Sequence, residues 1–468
     1  MKTNQLITLI LVFYISACAN NNSTKTGTTT AVNISDSFGT GKIIDTVICR
    51  TDSSQSYALY IPAKGNKEAL PVIYFFDAHA DGVIPLNKYK SLADTYGYIL
   101  IGSNNSKNGN DWSTTENIWR HLSEDTQSRL KINSNRIYTC GFSGGAKAAG
   151  YVALKYPAIK GVIANGAGLP DGTPAGDFAF SYTAIAGEGD LNLTDIMAFE
   201  NELNRSRTRH HIILFDGKHE WAPENSMNTA FAGLQFDAMQ KGIIPKDDTL
   251  INLYIEKSKK RLEAYYKANQ FIKAEQECQL SISFLNGLTD KVTWFKEKSV
   301  SIIGNSLYLK QQHEQEHLLV TELNIKAGYG EHFQQIDMAY WEKTISELQT
   351  KAHIKTAESG MYQRLLAYLS LAFYSYSNQL INRNANNEGR YYVELYKIVD
   401  PTNSEAWYFS AILHARENKP KEAENDLLKA VKNGFREKNR LQQQPEFQTS
   451  SQINLSAIES KMLTRVYH

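Results

Sequence analysis

The stretch from Arg136 to Gly150, RIYTCGFSGGAKAAG, constrains the fold of this chain more than any other. A short apolar run ends abruptly in GFSGG at positions 141–145, and small residues typical of a helix follow from Ala146. The pattern predicts a strand, a tight turn and a helix, with Ser143 at the apex of the turn. Flanking glycines would let the helix pass close to the strand, and a strained turn would lift the serine hydroxyl above it. The pentapeptide alone is equally compatible with an ordinary Gly-Ser turn.

The chain before and after this stretch alternates between strand-like and helix-like segments. A hairpin pattern covers residues 41–63, and polar loops and helical patterns separate the later apolar runs. Alternation of this kind predicts an α/β fold with a mostly parallel sheet covered by helices. The predicted strands after the hairpin are 70–76, 98–102, the run before Ser143, 160–165, 180–186 and 211–215.

Three chemically reactive side chains follow predicted strands in a meaningful order. Ser143, Asp190 and His219 each come just after a strand, where functional groups of parallel sheets gather. A histidine can take the proton of a serine that attacks a carbonyl, and an aspartate can hold the histidine in the required tautomer. The order Ser, Asp, His therefore predicts a nucleophile, an acid and a general base.

Other carboxylates and histidines compete for these roles. Glu188 is the nearest rival of Asp190, since a small shift of the GEGD loop would exchange the two. His210 and His211 lie at or before their strand, where surface or packing roles are expected. The further candidates for the acid are Asp171, Asp195 and Asp216.

The groups that would surround a reacting carbonyl can also be predicted. The backbone N–H of Gly144 would be one oxyanion donor, and Ala78 or His79, in the loop after the strand 70–76, would supply the other. The His79 side chain either lines the pocket or satisfies local backbone groups. Trp112 and Trp221 either flank a substrate cleft or pack their loops onto the domain.

Residues from about 40 to 240 resemble the esterase group of α/β-hydrolases that includes feruloyl-esterase-like and polyhydroxybutyrate-depolymerase-like enzymes. The resemblance implies a secreted carboxylesterase with Ser143, Asp190 and His219 as its triad, and it leaves the substrate open. The chain departs from degradative relatives because it has no obvious carbohydrate-binding module and no large insertion between Asp190 and His219. The matching stretches are PVIYFFDAHADG, GYILIGSNNSKNG, RIYTCGFSGGAKAAG, GEGD and FDGKHEWAPE.

The N-terminus has the pattern of a targeting segment. Lys2 precedes the apolar run 6–15, and Ile-Ser-Ala-Cys follows. This resembles the lipobox of bacterial lipoproteins, in which Cys18 would be lipidated; an ordinary secretory signal with a chance cysteine is the alternative. The interpretation gives a signal peptide over 1–18 and a flexible tether over 19–38. It places the protein in the bacterial cell envelope, lipid-anchored at the periplasmic face of the outer membrane.

The second half has a different character. Amphipathic helical patterns dominate after residue 243, so we predict a catalytic domain over 39–243 and a helical domain over 244–468. The unit from Asp400 to Gly434 resembles a tetratricopeptide repeat, and segments near 250–288 and 361–400 look like degenerate versions. An irregular helical domain is the alternative. Repeats of this kind expose a groove in which a protein or peptide partner could bind.

Composition narrows the classes of function. A net charge of +1 gives no electrostatic basis for binding nucleic acid. The cysteines after Cys18 are widely spaced, so we predict neither a disulfide framework nor a metal site, and no cofactor. We expect a serine hydrolase, most readily a carboxylesterase for acyl or feruloyl-type, carbohydrate-linked esters. A serine peptidase with the same triad and a non-catalytic periplasmic scaffold are the alternatives.

Overall fold

The computed structural model describes residues 38–65, 68–354, 356–449 and 452–462. The predicted signal peptide 1–18, with Cys18, lies outside these residues, as does the predicted tether up to residue 37. The range Phe38–His468 forms one compact unit that contains both the sheet and the helical region. No helix within the described ranges has both the length and the apolar character needed to cross a bilayer.

Eight strands form a single sheet, which confirms the predicted α/β-hydrolase class for the first half. In the order β1-β2-β4-β3-β5-β6-β7-β8, β1 pairs with β2 and β2 with β4 in antiparallel fashion, and all later neighbours are parallel. Reversal of the order at β3 and β4 puts the end of β5 in the middle of the sheet. The strands are β1 (Ile43–Ile48), β2 (Ser56–Tyr60), β3 (Leu70–Phe76), β4 (Ile99–Ser103), β5 (Ile132–Phe142), β6 (Ile159–Asn165), β7 (Ser181–Gly187) and β8 (His210–Phe215).

Helices cover both faces of this sheet. They are α1 (Val83–Tyr96), α2 (Trp112–Arg129), α3 (Gly144–Lys155), α4 (Leu193–Leu203) and α5 (Glu224–Gln240). Alternate residues of β3 point to opposite faces: Tyr74 packs on the side of α2 and α3, and Phe75 packs on the side of α1 and α5. Since both faces are covered, the central strands are continuous apolar runs.

Two helices begin earlier than the sequence predicts. The sequence pattern predicts helices from Tyr89 and from Ile118, with a polar loop up to about Thr115 before the second. In fact α2 begins at Trp112, because the side chain of Asp111 accepts a hydrogen bond from the Thr114 amide at 2.7 Å and caps the helix. The first turns of α2 are mostly exposed and therefore lack the apolar spacing on which the prediction relied.

Beyond α5 the described residues form helices and no strand, which confirms the predicted all-helical second half. The helices are α6 (Asp248–Lys267), α7 (Phe271–Leu285), α8 (Val292–Ile303), α9 (Ser306–His332), α10 (Met338–His353), α11 (Ser359–Asn382), α12 (Asn386–Val399), α13 (Ser404–Arg416), α14 (Pro420–Lys432), α15 (Lys438–Gln443), α16 (Pro445–Thr449) and α17 (Leu455–Met462).

Three helix pairs share the same turn. Asn269, Asn384 and Asn418 all adopt left-handed backbone with φ of 55°, 58° and 56°, between α6 and α7, α11 and α12, and α13 and α14. Asn418 follows Asn384 by 34 residues (418 minus 384). The interval from Asn269 to Asn384 is 115 residues (384 minus 269), so the spacing of the three turns is not uniform. The apolar residues Phe435, Leu441 and Phe447, which follow the last pair, are buried.

The helical region shares a core with the last helix of the α/β part. Phe236 of α5 packs against Tyr254 of α6 and Phe284 of α7, with ring centroids 5.1 Å and 5.6 Å away. The contact is so close that a Cβ added to Gly233 of α5 would lie 2.7 Å from the Phe284 ring. A further core spans the described helices from α9 to α17. The predicted boundary at residue 243 therefore lies between helices, α5 and α6, that share one core.

Candidate active site

Ser143 lies in a sharp turn between β5 and α3. Its backbone has φ 56° and ψ −122°, a strained conformation for a residue other than glycine, and its N–H donates to the Asn165 carbonyl at 2.9 Å. The neighbouring glycines are required by close packing: a Cβ on Gly145 would lie 1.9 Å from the Phe76 carbonyl oxygen, and one on Gly141 would lie 2.0 Å from the Gly145 oxygen. The turn is thus held from both neighbouring strands, and it presents the hydroxyl beyond the end of β5.

The structure brings the three predicted residues into one hydrogen-bonded line. Ser143 Oγ lies 3.0 Å from His219 Nε2, and His219 Nδ1 lies 3.0 Å from both carboxylate oxygens of Asp190. An ionised carboxylate can only accept, so Nδ1 donates to Asp190 and Nε2 remains free to accept from the serine hydroxyl. Asp190 is fully buried, and its Oδ1 also accepts from the Asn192 amide at 2.9 Å.

The loops that carry Asp190 and His219 are joined through their backbones. The Gly189 N–H donates to the Gly217 carbonyl at 2.9 Å, and the Glu188 N–H donates to the Phe215 carbonyl at 2.9 Å. A Cβ on Gly187 would lie 2.5 Å from the Gly217 and Lys218 oxygens. This direct contact fixes the acid loop against the histidine loop.

The rival carboxylates are engaged elsewhere or lie apart. The Glu188 carboxylate is 2.6 Å from Lys273 Nζ, and the exposed Asp171 is 2.7 Å from Lys147 Nζ. Asp195 lies in the first turn of α4, and Asp216 is exposed after β8. Of the candidates considered from the sequence, Asp190 is the one placed against His219.

The two remaining strand histidines do not face Ser143. His210 Nδ1 lies 2.8 Å from the Thr208 carbonyl, and His211 is buried against the Phe284 ring at a centroid distance of 4.6 Å. Burial is the main cause that lowers the pKa of His211 well below the ordinary value, so this imidazole is neutral at pH 7. Both side chains have the packing or local roles expected from their position at the start of β8.

Two amide groups near Ser143 are available as oxyanion donors. Among the described residues, neither the Gly144 nor the Ala78 N–H has a hydrogen-bond acceptor. The His79 N–H is already used, since it donates to Asp77 Oδ1 at 2.7 Å. Of the two alternatives left open by the sequence, Ala78 is therefore the one that remains free.

Asn108 connects the two donor segments, a role that the sequence analysis missed. Its N–H donates to the Ala78 carbonyl at 2.8 Å, and its Oδ1 lies where a Cβ of Gly144 would be 1.9 Å away. The sequence indicated only that Asn108-Gly109 belongs to a loop. Contact with residues 30 positions before it and 36 positions after it leaves no local signal.

Trp221 is a buried structural link, which is the packing alternative for this residue. Its indole N–H donates to Asp77 Oδ2 at 2.9 Å, and only 8% of the residue is exposed. The Trp221 ring packs on Phe142 at 5.6 Å, and Phe142 packs on the His219 ring at 4.8 Å. The indole thus ties the loop after β3, which carries Ala78 and is called the oxyanion loop below, to the segment that carries His219. Because it is buried, the Trp221 ring is not an open platform for a substrate.

Trp112 lies at the start of α2, where it stacks on Tyr151 of α3. The rings are nearly parallel, with centroids 4.7 Å apart, and Trp112 is 43% exposed. Tyr151 lies eight residues after Ser143 on the same turn-helix unit. Within the described residues Trp112 makes no ring or hydrogen-bond contact with the triad, so a role in the cleft stays a prediction.

Asp77 and His79 are neighbours in the loop after β3, with His79 Nδ1 3.7 Å from Asp77 Oδ1. Burial would raise the pKa of Asp77, but hydrogen bonds from His79 and Trp221 outweigh it and hold the pKa below its ordinary value. The Asp77 carboxylate in turn raises the pKa of His79, and the carboxylates of Glu437 and Glu405 add to the rise. Glu405 belongs to α13, and Glu437 precedes α15.

The described part of the chain contains no cluster of three or more His, Cys, Asp or Glu residues that could hold a metal ion. Cys49, Cys140 and Cys278 are buried free thiols. Burial raises the pKa of the Cys140 thiol well above its ordinary value, so this cysteine, three residues before Ser143, is an unreactive core residue.

Comparison with known proteins gives likeness of fold only. No protein-family model matches the chain, and no curated protein matches it. An S-formylglutathione hydrolase from Agrobacterium tumefaciens is 17% identical with a TM-score of 0.33, and 42% of this chain covers 93% of that chain. A ferulic acid esterase is 15% identical with a TM-score of 0.33, and 42% of this chain covers 97% of it. An acylaminoacyl peptidase from Pyrococcus horikoshii is 14% identical with a TM-score of 0.31, and 40% of this chain covers 39% of it. Likenesses of this size assign no function, so the functional argument rests on the site itself.

Proposed function

We propose that this protein is a serine hydrolase that uses Ser143, His219 and Asp190 as its catalytic triad. The observation that carries the proposal is the continuous line from Ser143 Oγ through both nitrogens of His219 to the buried Asp190 carboxylate, with 3.0 Å at each step. A strained serine at the end of a central strand adds to it, because such strain collects at functional sites.

Each residue has a defined part in the reaction. His219 Nε2 accepts the Ser143 proton as Oγ attacks a carbonyl carbon, and Asp190 stabilises the imidazolium that forms. The N–H groups of Gly144 and Ala78 would stabilise the developing oxyanion. The imidazolium then gives its proton to the leaving group, and a water molecule, activated by the same imidazole, releases the acyl group.

We propose an ester rather than an amide as the bond that is cleaved. The supporting argument is the resemblance of residues from about 40 to 240 to feruloyl-esterase-like enzymes, which also makes carbohydrate-linked acyl or feruloyl esters the first substrates to test. A serine peptidase is the second candidate, because the same triad serves both reactions.

A matched pair of substrates distinguishes the two. The p-nitrophenyl ester and the p-nitroanilide of one acyl group should be assayed with the wild type and with Ser143→Ala. We expect ester cleavage that Ser143→Ala abolishes, whereas cleavage of the anilide alone would contradict the esterase proposal. A screen of acyl sugars and aryl esters would then define the alcohol.

We also propose that the protein is a lipoprotein of the bacterial cell envelope, anchored through Cys18 at the periplasmic face of the outer membrane. Support comes from the lipobox-like sequence alone. In cells, the wild type should partition into detergent and fractionate with outer membranes, and Cys18→Ser should be released. Equal partitioning of the two proteins would contradict the anchor.

The helical region is proposed to contain tetratricopeptide-like repeats. The shared asparagine turns and the 34-residue spacing of Asn384 and Asn418 support this. A protein or peptide partner in the groove of the repeats is the corresponding proposal. If the protein were only a scaffold, Ser143 would show no activity in the folded protein, so labelling of this serine separates the two classes of function.

A further inference from the structure

The loop that carries Asp190 is held by a residue from the helical region. This acid loop, residues 187–190, begins at the last residue of β7, and the carbonyl oxygen of Glu188 accepts a hydrogen bond from Arg364 Nη1 at 2.7 Å. Arg364 belongs to α11 and lies 176 residues further along the chain. Its guanidinium therefore reaches a backbone atom two residues before the catalytic acid.

The guanidinium of Arg364 is itself fixed by a buried carboxylate. Its Nε and Nη2 lie 2.8 Å and 2.7 Å from Glu322 Oε2, and the other oxygen of Glu322 is 2.6 Å from Lys326 Nζ. Glu322 is 1% exposed and Arg364 is 7% exposed. Because a charge-assisted pair of this kind has a rigid geometry, the remaining Nη1–H is aimed at the acid loop before any substrate binds.

The first turns of α11 also pack directly on the backbone of the acid loop. A Cβ on Gly189 would lie 2.2 Å from Gln363 Oε1, and one on Gly360 would lie 3.1 Å from the Glu188 oxygen. From α7, Lys273 holds the Glu188 carboxylate at 2.6 Å. The helical region thus contacts the carbonyl, the side chain and the adjacent glycine of this short loop.

Open space borders these contacts. A cavity of about 720 Å³ lies between the α/β part and helices of the second half, and its lining includes Glu188, Gln363 and Arg364. Since the surroundings of the loop on this side are partly open, Arg364 and Gln363 supply much of its support there.

We propose that Arg364 is a positioning residue for Asp190, and hence that the helical region is part of the catalytic unit. The inference rests on the proposed function, because it assigns Arg364 a role in the reaction of Ser143. Arg364 holds the Glu188 carbonyl, the backbone of residues 188–190 carries the Asp190 side chain, and the Asp190 carboxylate orients His219. A misplacement of about 1 Å at a reacting group can lower turnover on the order of 100-fold.

The test needs variants that fold. Arg364→Ala leaves the buried Glu322 without its main partner and endangers folding, so the central variant is Arg364→Met combined with Glu322→Leu, which removes both charges. Arg364→Lys keeps one charged donor but cannot bond Glu188 and Glu322 in the same way. The matched control is Arg416→Ala, because Arg416 also bonds a carboxylate and a carbonyl oxygen, those of Glu446 and Ile381, yet has both partners inside the helical region.

Each full-length protein should be assayed for kcat and KM on a p-nitrophenyl ester, and for amide hydrogen exchange at residues 187–190. We expect the double variant to lose roughly 10- to 100-fold in kcat with KM changed less than about twofold. Arg364→Lys should be intermediate, Arg416→Ala should keep the wild-type kcat, and exchange in the acid loop should accelerate only in the Arg364 variants.

Two outcomes would overturn the inference: a folded double variant with wild-type kcat, or unchanged exchange of the acid loop in that variant. A wild type without Ser143-dependent turnover would instead contradict the proposed function. In that case the exchange measurement alone decides whether Arg364 holds the loop.

Discussion

At the scale of single residues, two carboxylates only two positions apart have opposite environments. Asp190 is buried against His219, whereas the Glu188 carboxylate points to Lys273 of α7. The sequence GEGD could not decide between them, because the choice depends on which loop packs on which side. Backbone hydrogen bonds from Glu188 and Gly189 to Phe215 and Gly217 hold the loop so that Asp190, and not Glu188, faces His219.

Asp190→Asn should lower kcat by on the order of 10⁴-fold, because an amide at this position permits the wrong histidine tautomer. Glu188→Gln is the matched control; it removes only the ion pair with Lys273 and should keep kcat within about threefold, since such a partly exposed pair contributes little. Steady-state kinetics on one ester substrate checks both. A larger loss for Glu188→Gln than for Asp190→Asn would reassign the acid.

His79 gives a prediction for the pH dependence of stability. Its pKa is raised in the folded protein, so protonated His79 contributes stability below its unfolded value and loses the contribution as pH rises through the folded value. The side chain is 71% exposed, and the effect is therefore modest. Wild type should exceed His79→Gln in free energy of unfolding at about pH 5.5 and equal it at about pH 9.

Urea unfolding of both proteins at the two pH values provides the measurement. Gln keeps the backbone N–H that donates to Asp77, so the comparison isolates the imidazole. A stability difference that is larger at the higher pH would contradict the assigned direction of the shift.

At the scale of elements, the sequence predicts what is local and misses what is distant. The apolar runs and the glycines predict the strands and the sharp turn at Ser143. The positions of the three triad residues just after strand ends predict the triad. The start of α2 was missed, since its Asp111 cap precedes exposed turns without apolar spacing. Asn108, Arg364 and the bond from Trp221 to Asp77 could not be found, because in each case the partners lie dozens of residues apart or more.

A substitution at Trp221 tests whether its indole N–H holds the oxyanion loop in place. Trp221→Phe keeps the aromatic packing on Phe142 but removes the donor to Asp77 Oδ2, and it leaves a buried acceptor with one bond fewer. We expect a loss of about tenfold in kcat as the oxyanion loop loosens, measured with a p-nitrophenyl ester. Trp119→Phe is the control, since this buried tryptophan of α2 packs on Tyr74 at a distance from the triad. Equal effects of the two changes would contradict a specific role for the indole N–H.

At the scale of the whole molecule, the two halves of the chain are not independent. Phe236 and Gly233 of α5 form a common core with α6, α7 and α8, so a chain that ends at the predicted boundary exposes that core. A fragment of residues 38–243 should be aggregated or lack a cooperative thermal transition. A fragment of residues 38–304 retains the common core and should be more soluble and melt at higher temperature. Size-exclusion chromatography and circular dichroism compare them, and a stable, monomeric 38–243 fragment would show that the helices are dispensable for folding.

The proposed function requires Ser143 to be an activated nucleophile in the folded protein. The most direct measurement is labelling of the purified protein with a fluorophosphonate, followed by mass spectrometry of the modified peptide. The geometry of Ser143, His219 and Asp190 predicts one label, on Ser143, that is absent from Ser143→Ala and strongly slowed in Asp190→Asn. A folded wild-type protein whose Ser143 remains unlabelled would contradict the proposed role of this serine.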